Sequence, residues 1–334
     1  MESGQHLKLP KSELEQMQAD LRRQARMERL KIDIQVKDNG DNTVDISWTV
    51  SEGTVAATPT ARASASGSRE GEGVTTAAPF RPASPSATAE PIDQITRIAA
   101  ASDIARFFWK DRGVAPAGYI NGMALVYARM HCKLKAGDAA AVEMAKAKTV
   151  DADRDALAWY DQIFAAAGMN NDTAGVDTLR HLFVLLMGLG MRESSGKHCE
   201  GRDRSASNII AETAEAGLFQ TSFNARGASP LLLTLFAQYS ADPSGFIDVF
   251  KEGVHCSAAS LENFGSGEGK EFQRLSKECP AFAAEFAAVG LRNMRKHWGP
   301  ITRREVEVRP ECDVMLRQVQ AAVEASPGMC SALA

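Results

Sequence analysis

Apolar residues in the C-terminal two thirds of the chain recur mostly at helical spacing. Ile92, Ile95, Ile98, Ile104 and Phe107/Phe108 mark a first helix, with Asp93 near its start. Tyr119, Met123, Val126/Tyr127 and Met130 fall three and four residues apart, which predicts a second. Leu157, Trp159/Tyr160 and Ile163/Phe164 mark a third. From Leu182 to Met191 the run LFVLLMGLGM has no polar face, so this helix is expected to be buried all round. Further helical patterns cover Leu231–Tyr239, Phe246–Lys251, Phe272–Leu275 and Ala281–His297.

The first fifty residues follow a different rhythm. Ser12 with Glu15 resembles a capping box and opens an expected helix over about Lys11–Leu30. Leu14, Met17, Leu21 and Met27 form only a thin stripe, which fits a surface or partner helix. Residues 32–36 and 44–50 then alternate with period two around the turn signal Lys37–Asn42, predicting a β-hairpin. Two strands are marginal alone, so the hairpin needs something to pack on. Residues 51–91 are rich in Ala, Ser, Thr, Gly and Pro and too poor in large apolar groups to offset ordering entropy; a disordered linker is expected. The expected fold class is therefore mainly α. A small helix plus β-hairpin module (1–50) and a linker (51–91) precede a helical domain (92–334).

Charge narrows the partners. With 38 Lys+Arg against 42 Asp+Glu and no Lys/Arg-rich run, nucleic acid is not expected. No apolar segment reaches the length of a membrane span. Met1–Lys11 carries no hydrophobic stretch of the secretory type. Six cysteines, at 132, 199, 256, 279, 312 and 330, leave disulfides among the last five open. His131-Cys132, His198-Cys199 and His255-Cys256 lack zinc-site spacing, so no metal and no cofactor are expected.

Candidate chemistry lies where the buried run stops, at Arg192-Glu193-Ser194-Ser195-Gly196. A carboxyl that continues a buried helix sits where water is scarce, which favours its neutral, proton-donating form. About twenty residues later comes Ala216-Gly217-Leu218-Phe219-Gln220-Thr221-Ser222. The two motifs, in this order behind an apolar helix, resemble the lysozyme-like superfamily, in particular soluble lytic transglycosylases and goose-type lysozymes. The resemblance covers about Leu179–Asn224 directly and, by extension, the helices to about Arg309. It implies a lysozyme-like domain with a small β-region at the cleft and Glu193 as general acid. It also implies a sugar-binding side built from Ser194, Gly217, Leu218, Phe219, Gln220, Ser222 and Asn224. The third motif of that family, Ala-Tyr-Asn, is missing; Glu285–Gly290 holds the corresponding place without Tyr or Asn. Ser222 stands where goose-type enzymes carry an aspartate.

Glycoside hydrolysis normally needs a second carboxylate. Glu200, Asp203, Glu212 and Glu215 lie between the motifs, and Glu215 and Asp203 are the candidates carried forward. A strand at Glu215 would aim it to the same face as Gly217, and the neighbouring arginines would keep Asp203 ionised. Lytic transglycosylases use a single Glu, the substrate's own hydroxyl closing an anhydro ring. Cleavage of the β-1,4 bond between N-acetylmuramic acid and N-acetylglucosamine is the expected activity, with peptidoglycan strands as partner. The place of action would be the periplasm or extracellular space, reached by non-classical export or lysis. The N-terminal module would meet a delivery or immunity protein. The alternatives are a chitinase or chitosanase on the same fold, or a non-catalytic lysozyme-like module of a secretion or phage machine.

Overall fold

Period-two alternation near the N-terminus becomes a three-stranded antiparallel sheet in the computed structural model, which describes residues 4–10, 30–52, 89–203, 210–326 and 328–333. Its strands are β1 (Gly4–Pro10), β2 (Leu30–Asp38) and β3 (Thr43–Glu52), in the order β1-β3-β2. The expected hairpin is present, with Val36 opposite Ile46 and Asp38 opposite Val44. Gly40 and Asn42 take the left-handed backbone that its tight turn requires, and the Asn39 amide donates to the Thr43 carbonyl at 3.1 Å. Val44 and Ile46, two apart, are buried together on one face of the sheet.

β1 was not expected. Gln5-His6-Leu7-Lys8-Leu9 is short, and Pro10 at its end confines it to an edge, where a missing N–H costs no ladder bond. It supplies a third strand to the hairpin. The expected helix over Lys11–Leu30 lies outside the described residues except for Leu30, which belongs to β2. The expected linker also lies outside them between Glu52 and Ala89; its ends, residues 51–52 and 89–91, belong to β3 and to the first helix below.

The chain separates into two units, Met1–Arg81 and Pro82–Ala334. The second is mainly helical. Its longer helices are α1 (Ala89–Ala101), α2 (Ala117–Lys135), α3 (Val176–Ser194), α4 (Pro230–Ala241), α5 (Gly267–Glu278), α6 (Pro280–Asn293) and α7 (Pro310–Ala325). Between α1 and α2 runs a small hairpin of β4 (Phe108–Trp109) and β5 (Gly113–Val114). Phe107 and Phe108 therefore do not continue the first helix. Phe108 is exposed on β4, whereas Trp109 turns inward. The third expected helix splits in two, Ala156–Trp159 and Asp161–Ala166.

Every residue of α3 from Thr178 to Met191 is buried. An apolar surface on all sides has to be covered on all sides, and α2, α6 and α7 all pack against it. Two glycines let neighbours approach: a Cβ at Gly188 would collide with the Glu307 carbonyl, and one at Gly190 with the Tyr119 hydroxyl. That hydroxyl donates to the Met187 carbonyl at 2.8 Å and pins α2 to the last turns of α3. At the other end the buried Arg180 is satisfied by Asp313 and Asp177, both at 2.6 Å, and by Gln320 at 2.7 Å. No helix among the described residues is long and apolar enough to cross a membrane.

Removing the Arg180 guanidinium would leave Asp313 half-paired at the α3–α7 contact. Arg180→Ala is expected to lower unfolding stability by about 3 kcal/mol in urea titrations; a loss below about 1 kcal/mol would mean that this pair does not hold α7 to α3.

Candidate active site

The buried helix delivers Glu193 to its very end. Ser195 adopts left-handed backbone, and its amide donates to the Met191 carbonyl at 3.0 Å. Gly196, also left-handed, donates to the Gly190 carbonyl at 3.2 Å, so α3 stops one residue beyond Glu193. The Ser194 hydroxyl turns back and donates to the Gly190 carbonyl at 2.9 Å. It is buried, and its hydrogen bond is spent on its own helix rather than on a ligand.

Glu193 is half-buried, and its carboxyl is pushed up to about 7. Desolvation is the largest cause, and the charge of Glu215 is the next. The carbonyls at the end of α3 oppose a carboxylate there too. Arg112, Arg303 and Arg192 pull in the other direction and keep the ionised form within reach. Glu215 is itself raised by burial and then by the charge of Asp203. The three carboxylates proposed from sequence thus form one electrostatic chain, Glu193 to Glu215 to Asp203.

The second motif is a tight turn. Ala216 and Thr221 form a lone β-bridge, and the Ala216 amide donates to the Thr221 carbonyl at 3.1 Å. No strand runs through Glu215, so the sheet geometry expected to aim it is replaced by this turn. Gly217 has a φ of +76°, and a Cβ there would stand 2.5 Å from the Ser276 carbonyl. Only glycine meets both demands. The Gly217 amide donates to the Glu200 carbonyl at 2.9 Å, which ties the turn to the loop that leaves α3. Leu218 and Phe219 point into the core, contrary to a sugar-lining role for their side chains. The buried Trp298 indole donates to the Phe219 carbonyl at 2.8 Å, so its role is packing and turn fixation.

Gln220 is a non-glycine residue in left-handed backbone, a costly conformation that the surrounding contacts must hold. Its side-chain amide group donates to the Gly217 carbonyl at 3.1 Å and to the Glu200 carbonyl at 3.5 Å. Ser222 is buried and donates to the Asn224 side chain at 2.7 Å, while Asn224 reaches the surface. Of the expected sugar-side residues, Gln220 and Asn224 retain accessible side chains. Gly217, Leu218, Phe219, Ser194 and Ser222 shape the frame behind them.

A cavity of about 440 Å³ opens over the Arg192 side of the α3 terminus. Its walls include Trp109, Asp111, Arg112, Met191, Arg192 and Glu305. Arg192 reaches Asp111 at 3.6 Å and Glu305 at 3.4 Å, and Arg303 holds Glu305 at 2.7 Å. Glu307 accepts from the Lys110 amide at 2.8 Å and anchors the β4–β5 turn. The sequence reading passed over Arg112 and Arg303. Lys110-Asp111-Arg112-Gly113 is a turn signal that the helical reading of Phe107/Phe108 obscured, and it delivers Arg112 to this site.

Beyond the site, Arg292 is buried and donates to the carbonyls of Lys146 at 2.7 Å and Ala147 at 2.8 Å and to Asp155 at 3.1 Å. Arg295 packs over the Trp159 ring at 3.9 Å. Glu285, at the place of the missing third motif, is fully buried between Lys133 at 2.8 Å and the Tyr239 hydroxyl. Among the six cysteines, Cys132 pairs with Cys330 and Cys199 with Cys256, while Cys279 and Cys312 are buried thiols. Pairing thus extends to Cys132, beyond the last five cysteines for which it is open in the sequence. His198 stands beside the second disulfide, so three potential ligand residues meet without any sequence spacing that announces them. Compared with protein families, characterised proteins and solved structures, the chain gives no match.

Two stability measurements check this geometry. Glu193 takes up a proton at about 7 when folded, against 4.5 unfolded, so between those values the folded state binds the extra proton and stability falls as pH rises. Glu193→Gln should therefore be more stable than the parent by up to about 3 kcal/mol above pH 7, with the gain vanishing near about pH 4. An equal effect at both pH values would contradict the burial of this carboxyl. Gly217→Ala should cost at least about 2 kcal/mol in thermal or urea unfolding; a neutral result would mean that the turn has another backbone.

Proposed function

We propose that the protein is a peptidoglycan-cleaving glycosidase in which Glu193 is the general acid. The observation that carries this reading is a half-buried carboxyl placed at the end of a buried helix beside a motif turn; desolvation and the charge of Glu215 there push it up to about 7. Near neutral pH such a group holds a proton and can still release it, which is what protonation of a glycosidic oxygen requires. As the leaving oxygen takes that proton, Glu193 becomes a carboxylate. Arg112, Arg303 and Arg192 then stabilise the new charge, since each favours the ionised form.

The bond between the leaving oxygen and the anomeric carbon breaks, its electron pair leaving with the protonated oxygen; the oxygen of the attacking hydroxyl then bonds to the anomeric carbon and gives its proton to Glu193. When that hydroxyl is water, the reaction is hydrolysis; when it belongs to the substrate sugar, an anhydro product results. Glu215 is the candidate second carboxylate for the hydrolytic course, and Asp203 modulates it through charge. Two disulfides fit work in an oxidising compartment, where peptidoglycan is met. The motifs around Glu193 and Gly217 supply the substrate class, through their resemblance to lysozyme-like enzymes.

Purified peptidoglycan incubated with the protein should release muropeptides, read by mass spectrometry as reducing or anhydro ends. Glu193→Gln should lose at least about a hundredfold in rate, as expected when a proton donor is removed. The rate should be highest below about pH 7 and fall as Glu193 ionises above it. Unchanged release by the Gln variant, or no release by the parent chain, would refute the assignment.

A further inference from the structure

We propose that His198, Cys199 and Cys256 form a zinc site when the Cys199–Cys256 disulfide is reduced, so that one pair of cysteines closes the same loops in either of two exclusive ways. The three ligand atoms lie within 4.8 Å of one another. His198 Nδ1 stands 2.9 Å from the Lys277 carbonyl, an atom that can only accept, so the ring proton sits on Nδ1. The lone pair of Nε2 is thereby left free, and Nε2 is 3.6 Å from Cys256 Sγ. An imidazole whose far nitrogen is fixed by a backbone carbonyl is the arrangement that prepares histidine as a metal ligand.

The distances fit the ion. With Zn–S near 2.3 Å and Zn–N near 2.0 Å, the edges of a tetrahedral site are roughly 3.5–3.8 Å. The existing N–S separation already meets that, and the two sulfurs need to move apart by only about 2 Å from bonding distance. Cys199 and His198 are buried, whereas Cys256 is half-buried and gives the ion and a reductant access. Two thiolates neutralise Zn²⁺, so the filled site adds no net charge beside Lys251, whose positive charge acts on His198. Three protein ligands leave the fourth position to water.

The chemistry balances with a dithiol as reductant. It gives two electrons and two protons to the disulfide and becomes a disulfide itself, leaving two protein thiols. Zn²⁺ then displaces both thiol protons to solvent. In either form the segment after α3, whose Glu200 carbonyl holds the Gly217 turn, stays fastened to the loop around Cys256. The inference stands apart from the proposed glycosidase activity and does not require it.

The test uses the full chain, reduced with a phosphine, stripped with a chelator and titrated anaerobically with Co²⁺ alone. One equivalent is expected to bind with thiolate-to-cobalt charge-transfer and tetrahedral d–d bands, and Zn²⁺ should displace it. The oxidised chain should give neither band. Cys256→Ser should abolish the charge-transfer signature, His198→Gln should weaken binding at least about tenfold, and Cys132→Ser with Cys330→Ser should leave the site intact. Zn²⁺ should also raise the melting temperature of the reduced parent chain and not that of the oxidised one, a readout independent of whether any variant folds. Reduced parent chain that binds no Co²⁺ through thiolate, or binding that survives Cys256→Ser, would overturn the proposal.

Discussion

The second unit depends on one constraint: a helix that is apolar on every side must be enclosed, and its polar end must come out somewhere. Enclosure of Val176–Ser194 recruits α2, α6 and α7 and requires glycine at 188 and 190, where a backbone carbonyl and a tyrosine hydroxyl press against it. The end that emerges carries Glu193. The forces that build the core therefore also raise the carboxyl, because the packing that excludes water from Met191 leaves little of it for the next turn. Structure and chemistry at this position share a cause.

What surrounds the carboxyl is a balance of charges. Glu215 disfavours its ionisation, while Arg112, Arg303 and Arg192 favour it. Three of these come from distant parts of the chain: the β4–β5 turn, the loop before the 216–221 turn, and the segment after α6. Three hydrogen bonds hold them in place: the Gly217 amide to the Glu200 carbonyl, the Trp298 indole to the Phe219 carbonyl and the Lys110 amide to the Glu307 carboxylate. Two of the three join segments remote in sequence, so the site is only as ordered as the core beneath it.

The helices were legible where apolar spacing was regular, as for α2, or where the apolar run was unbroken, as for α3. The hairpin was legible through its alternation and its Asn39-Gly40 turn. Glu193 was legible because the polar patch Arg192-Glu193-Ser194-Ser195 directly follows a long apolar run. Less visible were short elements with no room for a period, such as β4–β5 and β1, and the helix Pro310–Ala325, which no expectation covered although Pro310 at its first position and Glu311 and Asp313 in its first turn announce a start. The Gly217 motif was read as the approach to a strand and proved to be a turn closed by one bridge. Leu218 and Phe219 are buried in the core, and the Trp298 indole fixes the Phe219 carbonyl from 79 residues away, a partner the sequence does not announce. The meeting of His198 with Cys199 and Cys256 is likewise a product of tertiary packing.

Burial at the end of α3 keeps a substantial protonated fraction of Glu193 near neutral pH. A direct measurement is a pH titration of the glutamate carboxyl carbons by ¹³C NMR, with Glu193 assigned by comparison with Glu193→Gln. A midpoint of about 7 is expected for that resonance, with a second glutamate, Glu215, displaced upward from the ordinary range. A Glu193 midpoint at the unperturbed glutamate value of about 4.3 would contradict it, since a solvated carboxylate at that place would have no proton to give.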